Sequence, residues 1–176
     1  PFDLPELMRR AAAALANAPA KVVSIDSASD ISDIPMVGHS PKMQDLYRLM
    51  AKTMNLDTPI LIQGEDGTGK SLIAETLHTL STRNDEPMRS LTPHMCKSQN
   101  DIHSIFQETG KGSVIIKRLA DFGSEEQSNL LHYISSSSPP ARIISTSDHN
   151  IIQAVTQTQF RNDLFFRLAG ITLNVP

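Results

Sequence analysis

Along the chain, short apolar runs alternate with segments whose apolar residues recur at helical spacing. Residues 3 to 18 (DLPELMRRAAAALANA) read as one helix, with Asp3 as its cap, Pro5 in its first turn and an alanine run of high helix propensity. Residues 19 to 34 mix Ser, Asp and Ala with scattered Val and Ile and read as a tether. A compact domain is expected over 35–176. Ser40-Pro41 starts a helix in which Met43, Leu46, Tyr47, Met50 and Met54 share one face. Pro59-Ile60-Leu61-Ile62-Gln63 reads as a buried strand, and a helix follows from Gly69 to Leu80. Beyond it the pattern predicts a strand over Met88 to Thr92, a helix over Asp101 to Glu108, a buried strand over Ser113 to Ile116 and an amphipathic helix over Ser124 to Ser135. A strand over Arg142 to Thr146, helical segments up to Leu168 and a last strand over Ile171 to Val175 complete the series. Such alternation predicts an α/β fold: a three-layer sandwich around a mostly parallel five-stranded sheet.

Composition narrows the class. The chain has 176 residues, 39% of them hydrophobic and 20% charged, which suits an ordinary globular domain. A net charge of −3 argues against a nucleic-acid-binding surface on this segment. A single cysteine, Cys96, excludes an internal disulfide framework and fits a cytoplasmic setting. No apolar run nears the roughly 20 residues of a membrane span, so no membrane partner is expected. The six histidines show no paired ligand spacing, and no nucleophile–base constellation accompanies Cys96.

The chemistry concentrates in Gly64-Glu65-Asp66-Gly67-Thr68-Gly69-Lys70-Ser71, which satisfies G-x-x-x-x-G-K-[ST]. Chance would supply this pattern in roughly one chain in two hundred of this length, and here an apolar strand precedes it and a helix follows. Glycines let successive N–H groups curl toward phosphate oxygens, and the helix N-terminus adds partial positive charge. Lys70 supplies a point charge for the outer phosphates, and the Ser71 hydroxyl is a candidate Mg²⁺ ligand. A nucleotide is therefore the expected cofactor, with Mg²⁺ as a candidate second one.

A phosphate-binding loop that hydrolyses its nucleotide needs a carboxylate at the end of another strand to hold Mg²⁺. The matching strand, Ser113 to Ile116, is followed by Lys117-Arg118. Two positive charges beside a divalent cation would cost several kcal/mol in a partly buried setting, at about the scale Coulomb's law gives for such distances. Either Lys117 and Arg118 are simply exposed at the strand end, or they contact the phosphates and partly replace the metal. Asp121 is a neighbouring acid that could deputise. In each case the hydrolytic machinery reads as impaired.

Three stretches, VGHSPKMQDLYRLMAK, GEDGTGKS and FRNDLFFRL, together resemble the central AAA+ domain of NtrC-type bacterial enhancer-binding proteins. The resemblance spans 35–176 in order. The opening PFDLPELMRR is similar to the last helix of a response-regulator receiver, so receiver end (1–18), linker (19–34) and AAA+ core together resemble a two-component nitrogen regulator. The resemblance implies a P-loop NTPase fold and a Walker A role for Gly64 to Ser71. It also implies that Arg161 and Arg167 match the arginines that reach the nucleotide of a neighbouring subunit. Spaced six apart, about 240° around a helix, they cannot share one face. Implied partners are copies of the chain, from dimer to hexamer-like ring, and RNA polymerase holoenzyme. A sensor kinase and DNA would be engaged through receiver and reader domains outside this chain. Asp148 stands where a polar Asn or His is usual in the family.

The departures matter as much. Lys117-Arg118 occupy the Walker B Asp-Glu positions, and between Phe106 and Gly112 only Gln107 to Lys111 remain where the GAFTGA loop that touches sigma-54 would lie. The hairpin before the sensor strand is also missing, since Tyr133-Ile134 leads through a Ser/Pro loop to Ala141-Arg142. The chain stops at Asn174-Val175-Pro176, before the lid subdomain and DNA reader that the family carries, and reads as a fragment. These features favour a nucleotide-binding, oligomerisation-controlling module over a sigma-54 remodelling motor. Two other readings stay open: an active AAA+ ATPase driving open-complex formation, and a structural relic that binds nothing.

Overall fold

In the computed structural model, residues 40–137, 139–148 and 151–176 are described. The helix expected over 3–18 and the linker over 19–34 lie outside them. Ser40 caps the first helix, α1 (Pro41–Thr53): its hydroxyl accepts from the Met43 amide at 3.3 Å, and Pro41 fills the first turn, where no amide is needed. Leu46 and Met50 are buried along its inner face, with Met43, Tyr47 and Met54 packed beside them.

Five strands follow: β1 (Ile60–Gln63), β2 (Met88–Leu91), β3 (Ser113–Ile116), β4 (Arg142–Ser147) and β5 (Ile171–Asn174). They form one sheet in the order β2-β3-β4-β1-β5, and every pairing is parallel. Buried on both faces, β1, β3 and β4 are runs of apolar or small residues apart from Gln63 and Arg142 at strand ends, as a covered parallel sheet demands. Helices α2 (Lys70–Thr79), α3 (Gln99–Thr109), α4 (Ser124–Ser137), α5 (Ile151–Thr156) and α6 (Asn162–Leu168), with two short 3-10 turns at Pro93–Met95 and Leu119–Asp121, complete the described elements. One core layer joins Ile60, Ile62, Ile115 and Ile144 to α1 and α2. The other joins Leu61, Val114, Ile116 and Ile143 to α3, α4, α5 and α6. The three-layer α/β sandwich expected from the sequence is the fold found, with the sheet wholly parallel.

Some boundaries move for local reasons. Helix α3 starts at Gln99, two residues before its apolar pattern, because the Ser98 hydroxyl caps it by accepting from Asp101 N at 3.2 Å. Between α3 and β3 stand only Gly110, Lys111 and Gly112. A Cβ on Gly112 would meet the Pro87 carbonyl oxygen at 1.8 Å, so the chain crosses the start of β2 too closely for any side chain.

The edge of the sheet holding the strands' N-terminal ends is tied by polar groups. Arg142, 2% exposed, sends Nη1 to the Met54 carbonyl and Nη2 to the Thr53 carbonyl at 2.8 Å, closing the C-terminal end of α1. Arg83 bonds the Lys111 and Pro140 carbonyls and pairs with Asp57. His78 on α2 meets the Ser113 hydroxyl at 2.9 Å through Nδ1.

Candidate nucleotide site

At the opposite edge, β1 runs directly into the glycine-rich loop. The Gly64 amide donates to the Ser147 carbonyl at 3.3 Å, and the Val175 amide donates to the Gln63 carbonyl at 2.7 Å, so the loop is anchored to both neighbouring strands. Gly67 (φ +85°) and Gly69 (φ +86°) take left-handed conformations, and a Cβ on either would meet nothing within 4 Å. The loop thus curls around open space. Among the described residues, the amides of Gly67, Gly69, Lys70 and Ser71 have no hydrogen-bond acceptor. No side chain caps α2 at Gly69. Unpaired amides converging at a ten-residue helix N-terminus form an anion cradle.

Lys70, with a side chain only 13% exposed, lies over this cradle. Its Nζ donates to the carbonyls of Gly64 (2.8 Å) and Glu65 (2.7 Å) and stands 3.4 Å from Asp66 Oδ1. Those contacts hold the ammonium in place for an incoming phosphate that would exchange with them. Thr68 bonds the Glu65 carbonyl through both its amide and its hydroxyl, closing the turn. Ser71 is exposed beside Lys70 in the first turn of α2. Adjoining the loop is a cleft of about 600 Å³ between α1 and β5, walled by Lys42, Leu46, Leu49, Thr68, Thr172 and Val175. Its volume suits a small molecule. No motif marks these walls in the sequence; they meet because β5 pairs with β1 and α1 packs over both.

The structure separates Lys117 from Arg118. The Lys117 amide donates to the Leu91 carbonyl at 2.8 Å, extending the β2–β3 ladder by one residue. Alternation along β3 places Lys117 on the face of Ile115, which packs toward α1 and α2, and its side chain is half-buried. Arg118 leaves the strand with φ +57°, its amide donating to Thr146 Oγ1 at 3.3 Å. Its exposed guanidinium pairs with Asp121. Asp121, the acid considered as a substitute metal ligand, is therefore occupied by Arg118. Asp148 closes β4 half-buried, immediately after the residue whose carbonyl receives the Gly64 amide.

Arg161 and Arg167 lie far along the chain from the loop, on the α5–α6 segment. Arg161 stands outside α6 as its N-cap, so the angular argument from helical spacing does not describe the pair. Buried Gln127 fixes this corner: its Nε2 donates to the Phe122 and Gln159 carbonyls, and its Oε1 accepts from the Arg161 amide at 2.8 Å. The Arg161 guanidinium grips Asp163 through Nε (3.1 Å) and Nη2 (2.8 Å), and that hydrogen bonding holds the Asp163 carboxyl below the usual carboxylate range. Arg167 is exposed on the last turn of α6 beside Phe166, which is 69% exposed. The role of Gln127 had no signal in the sequence, since its partners lie up to 34 residues away.

Residues 37–176 match the family described as the sigma-54 interaction domain. The chain belongs to this family. The sigma-54 interaction domain is accompanied by wider similarity: the transcriptional regulator NtrC of Bradyrhizobium sp. (strain RP501 Parasponia) is 30% identical over 205 residues, covering 100% of this chain and 43% of that protein. The chain thus spans less than half the length of the curated relatives it matches. Among solved structures, NtrX from Brucella abortus in complex with ADP superposes with a TM-score of 0.72 at 23% identity, covering 100% of this chain and 46% of that one. The P-loop NTPase domain of a sigma-54 activator from E. coli gives 0.62 at 18% identity, covering 79% and 97%. Both likenesses confirm the P-loop NTPase fold of the AAA+ type.

The residues present fit a nucleotide: the cradle is open where glycines need it open, and its amides and Lys70 point to polyanion oxygens. They fit Mg²⁺ poorly. Ser71 offers a hydroxyl, but β3 is followed by Lys117 and Arg118 with no acid between them and Leu119, and Asp121 is paired with Arg118. Among the described residues no helix is long and apolar enough to cross a membrane, and no cluster of three metal-binding side chains exists.

Proposed function

We propose that this domain binds ATP as a regulatory ligand, hydrolyses it poorly, and uses occupancy to control self-association in a nitrogen-regulation transcription activator of a two-component system. The observation that carries the reading is the combination of an intact phosphate cradle with a lysine at the metal-ligand position. The cradle supports binding. Lys117 and the Arg118–Asp121 pair remove the acids that Mg²⁺ and a hydrolytic water require. NtrX has been solved with ATP as well as ADP, which favours a nucleotide in the matching place here.

Polymerase would be engaged by a route other than ATP-driven remodelling of sigma-54. The three-residue join between α3 and β3 supports the reading that a GAFTGA loop is absent, and Gly112 pressed against Pro87 favours the short connection. The alignment with the Bradyrhizobium protein is longer than this chain, so that relative carries segments this chain lacks. Residues 1–18 would be the end of a receiver addressed by a sensor kinase, 19–34 a linker, and DNA recognition would lie in a further domain. The setting would be the cytoplasm. In the assembly, Arg167 and Phe166, exposed on α6, would face the neighbouring copy, while Arg161 is held by Asp163 until a phosphate competes for it.

Sedimentation of the regulator with and without ATP, beside Lys70→Ala, tests the reading. ATP is expected to raise the sedimentation coefficient of the native protein and to leave the variant unchanged. An association state indifferent to ATP would refute it, and steady phosphate release abolished by Lys70→Ala would restore the ATPase.

A further inference from the structure

We propose that the site takes its nucleoside triphosphate uncomplexed, without a divalent cation, and that Lys117 supplies the counter-charge. The inference rests on the nucleotide-binding reading above and specifies the form of the ligand. Three observations carry it. Lys117 continues the β3 ladder through its amide, so strand alternation directs its side chain to the face where α2 begins. It is half-buried there, and among the described residues no carboxylate stands within ion-pair distance of its ammonium. Arg118, by contrast, is turned out by its left-handed backbone and held by Asp121, which removes both the second cation and the nearest spare acid from the site.

β3 is two strands from β1, about 10 Å at the spacing of a parallel sheet. A lysine side chain reaches across much of that distance, toward the same outer phosphates that Lys70 approaches from the loop. Mg²⁺ seated on Ser71 would lie between two ammonium groups, neither of which can be a ligand. Of the acids on this edge, Asp148, just past the end of β4, is already engaged, and Asp66 in the loop lies 3.4 Å from the Lys70 ammonium. With Lys70, Lys117, the free amides and the α2 terminus all positive, the complementary ligand is the fully charged nucleotide, and chelation by Mg²⁺ lowers that charge by two.

The experiment is calorimetric titration of ATP into the 176-residue chain, in EDTA and in excess Mg²⁺, for the native sequence, Lys117→Met and Lys117→Asp. Far-UV circular dichroism verifies that each variant is folded. The native chain is expected to bind ATP in EDTA at least as tightly as with Mg²⁺. Lys117→Met should weaken the EDTA affinity by about tenfold, the scale of one ion pair in a partly desolvated site. Lys117→Asp should invert the preference, and Mn²⁺ added with ATP should then give a bound-metal magnetic-resonance signal that the native chain lacks. If Mg²⁺ tightens native binding, or if folded Lys117→Met binds as well as the native chain in EDTA, the inference is overturned while nucleotide binding stands. If ATP binds in neither buffer, the nucleotide-binding reading itself falls.

Discussion

Replacing Arg142 by Met tests whether the buried arginine at the start of β4 holds the domain together. The side chain is among the largest fully buried ones, and burial, reinforced by the charge of Arg83 and only partly offset by Asp57, pushes its pKa down from 12.5 to about 10. That depression corresponds to about 3 kcal/mol spent on keeping the guanidinium charged in the fold. Against this stand two charge-assisted hydrogen bonds to the Thr53 and Met54 carbonyls, worth about 1.5–3 kcal/mol each. Nε is buried with no partner, so it adds to the cost and not to the gain.

Methionine keeps much of the apolar volume and removes the desolvation cost. It also abandons the Met54 carbonyl, whereas the Thr53 carbonyl retains the Leu56 amide at 3.0 Å. The balance is a loss of about 2 kcal/mol, equivalent to a fall of roughly 4–8 °C in Tm for a domain of this size. Arg142→Ala should cost more, because a cavity is added. The assay is urea unfolding followed by far-UV circular dichroism, since the chain has no tryptophan and two tyrosines. A methionine variant as stable as the native chain would refute the reasoning, showing that desolvation cancels the hydrogen bonds, as happens for some buried ion pairs.

His78 should make stability fall in mild acid. Burial, with a smaller contribution from the Arg142 charge and against the opposing Glu86 backbone bond, lowers its folded pKa below 6.5. The unfolded chain therefore takes up a proton first as pH drops. The contribution is complete above about pH 6.5 and declines below it by up to about 1.4 kcal/mol per pH unit, and His78→Gln should flatten that slope in urea titrations at successive pH values. Cys96 should resist thiol reagents in the native protein, because burial foremost, and then Glu126 and Asp101, push its pKa to about 12. Ellman's reagent should label it fast only in denaturant, and fast native labelling would contradict the burial.

What the sequence made legible is local. The phosphate loop, the buried runs Ile60 to Gln63 and Ser113 to Ile116, and the face of α1 all follow from spacing and periodicity within a dozen residues. The start of α3 was missed because Gln99 and Asn100 are polar, and a capping serine leaves no apolar trace. The fates of Lys117 and Arg118 were inseparable in one dimension. A single left-handed residue divides them, and φ at a non-glycine position depends on the Thr146 hydroxyl 28 residues on. Arg142 read as the first residue of a strand, yet its partners lie 88 and 89 residues earlier. Gln127 read as one polar residue on an amphipathic helix, although it organises the turn before α6.

The two edges of the sheet divide the polar work, and α1 joins them. At one edge, Arg142 and Arg83 saturate backbone carbonyls, and His78 pairs with the Ser113 hydroxyl. At the other, the backbone is left unsaturated where glycines curl it around open space, which is tolerable because those amides face solvent until a phosphate arrives. α1 is a 13-residue helix, about 20 Å long. Arg142 holds its C-terminal end, while Lys42, Leu46 and Leu49, spread along the same helix, wall the cleft beside Thr68. A helix moves as a unit, so a clamp at its C-terminal end bears on the width of the cleft that its side chains wall. Loosening Arg142 would therefore weaken ATP binding as well as stability, and a ligand in the cleft would return part of that stability in proportion to the logarithm of its concentration over Kd.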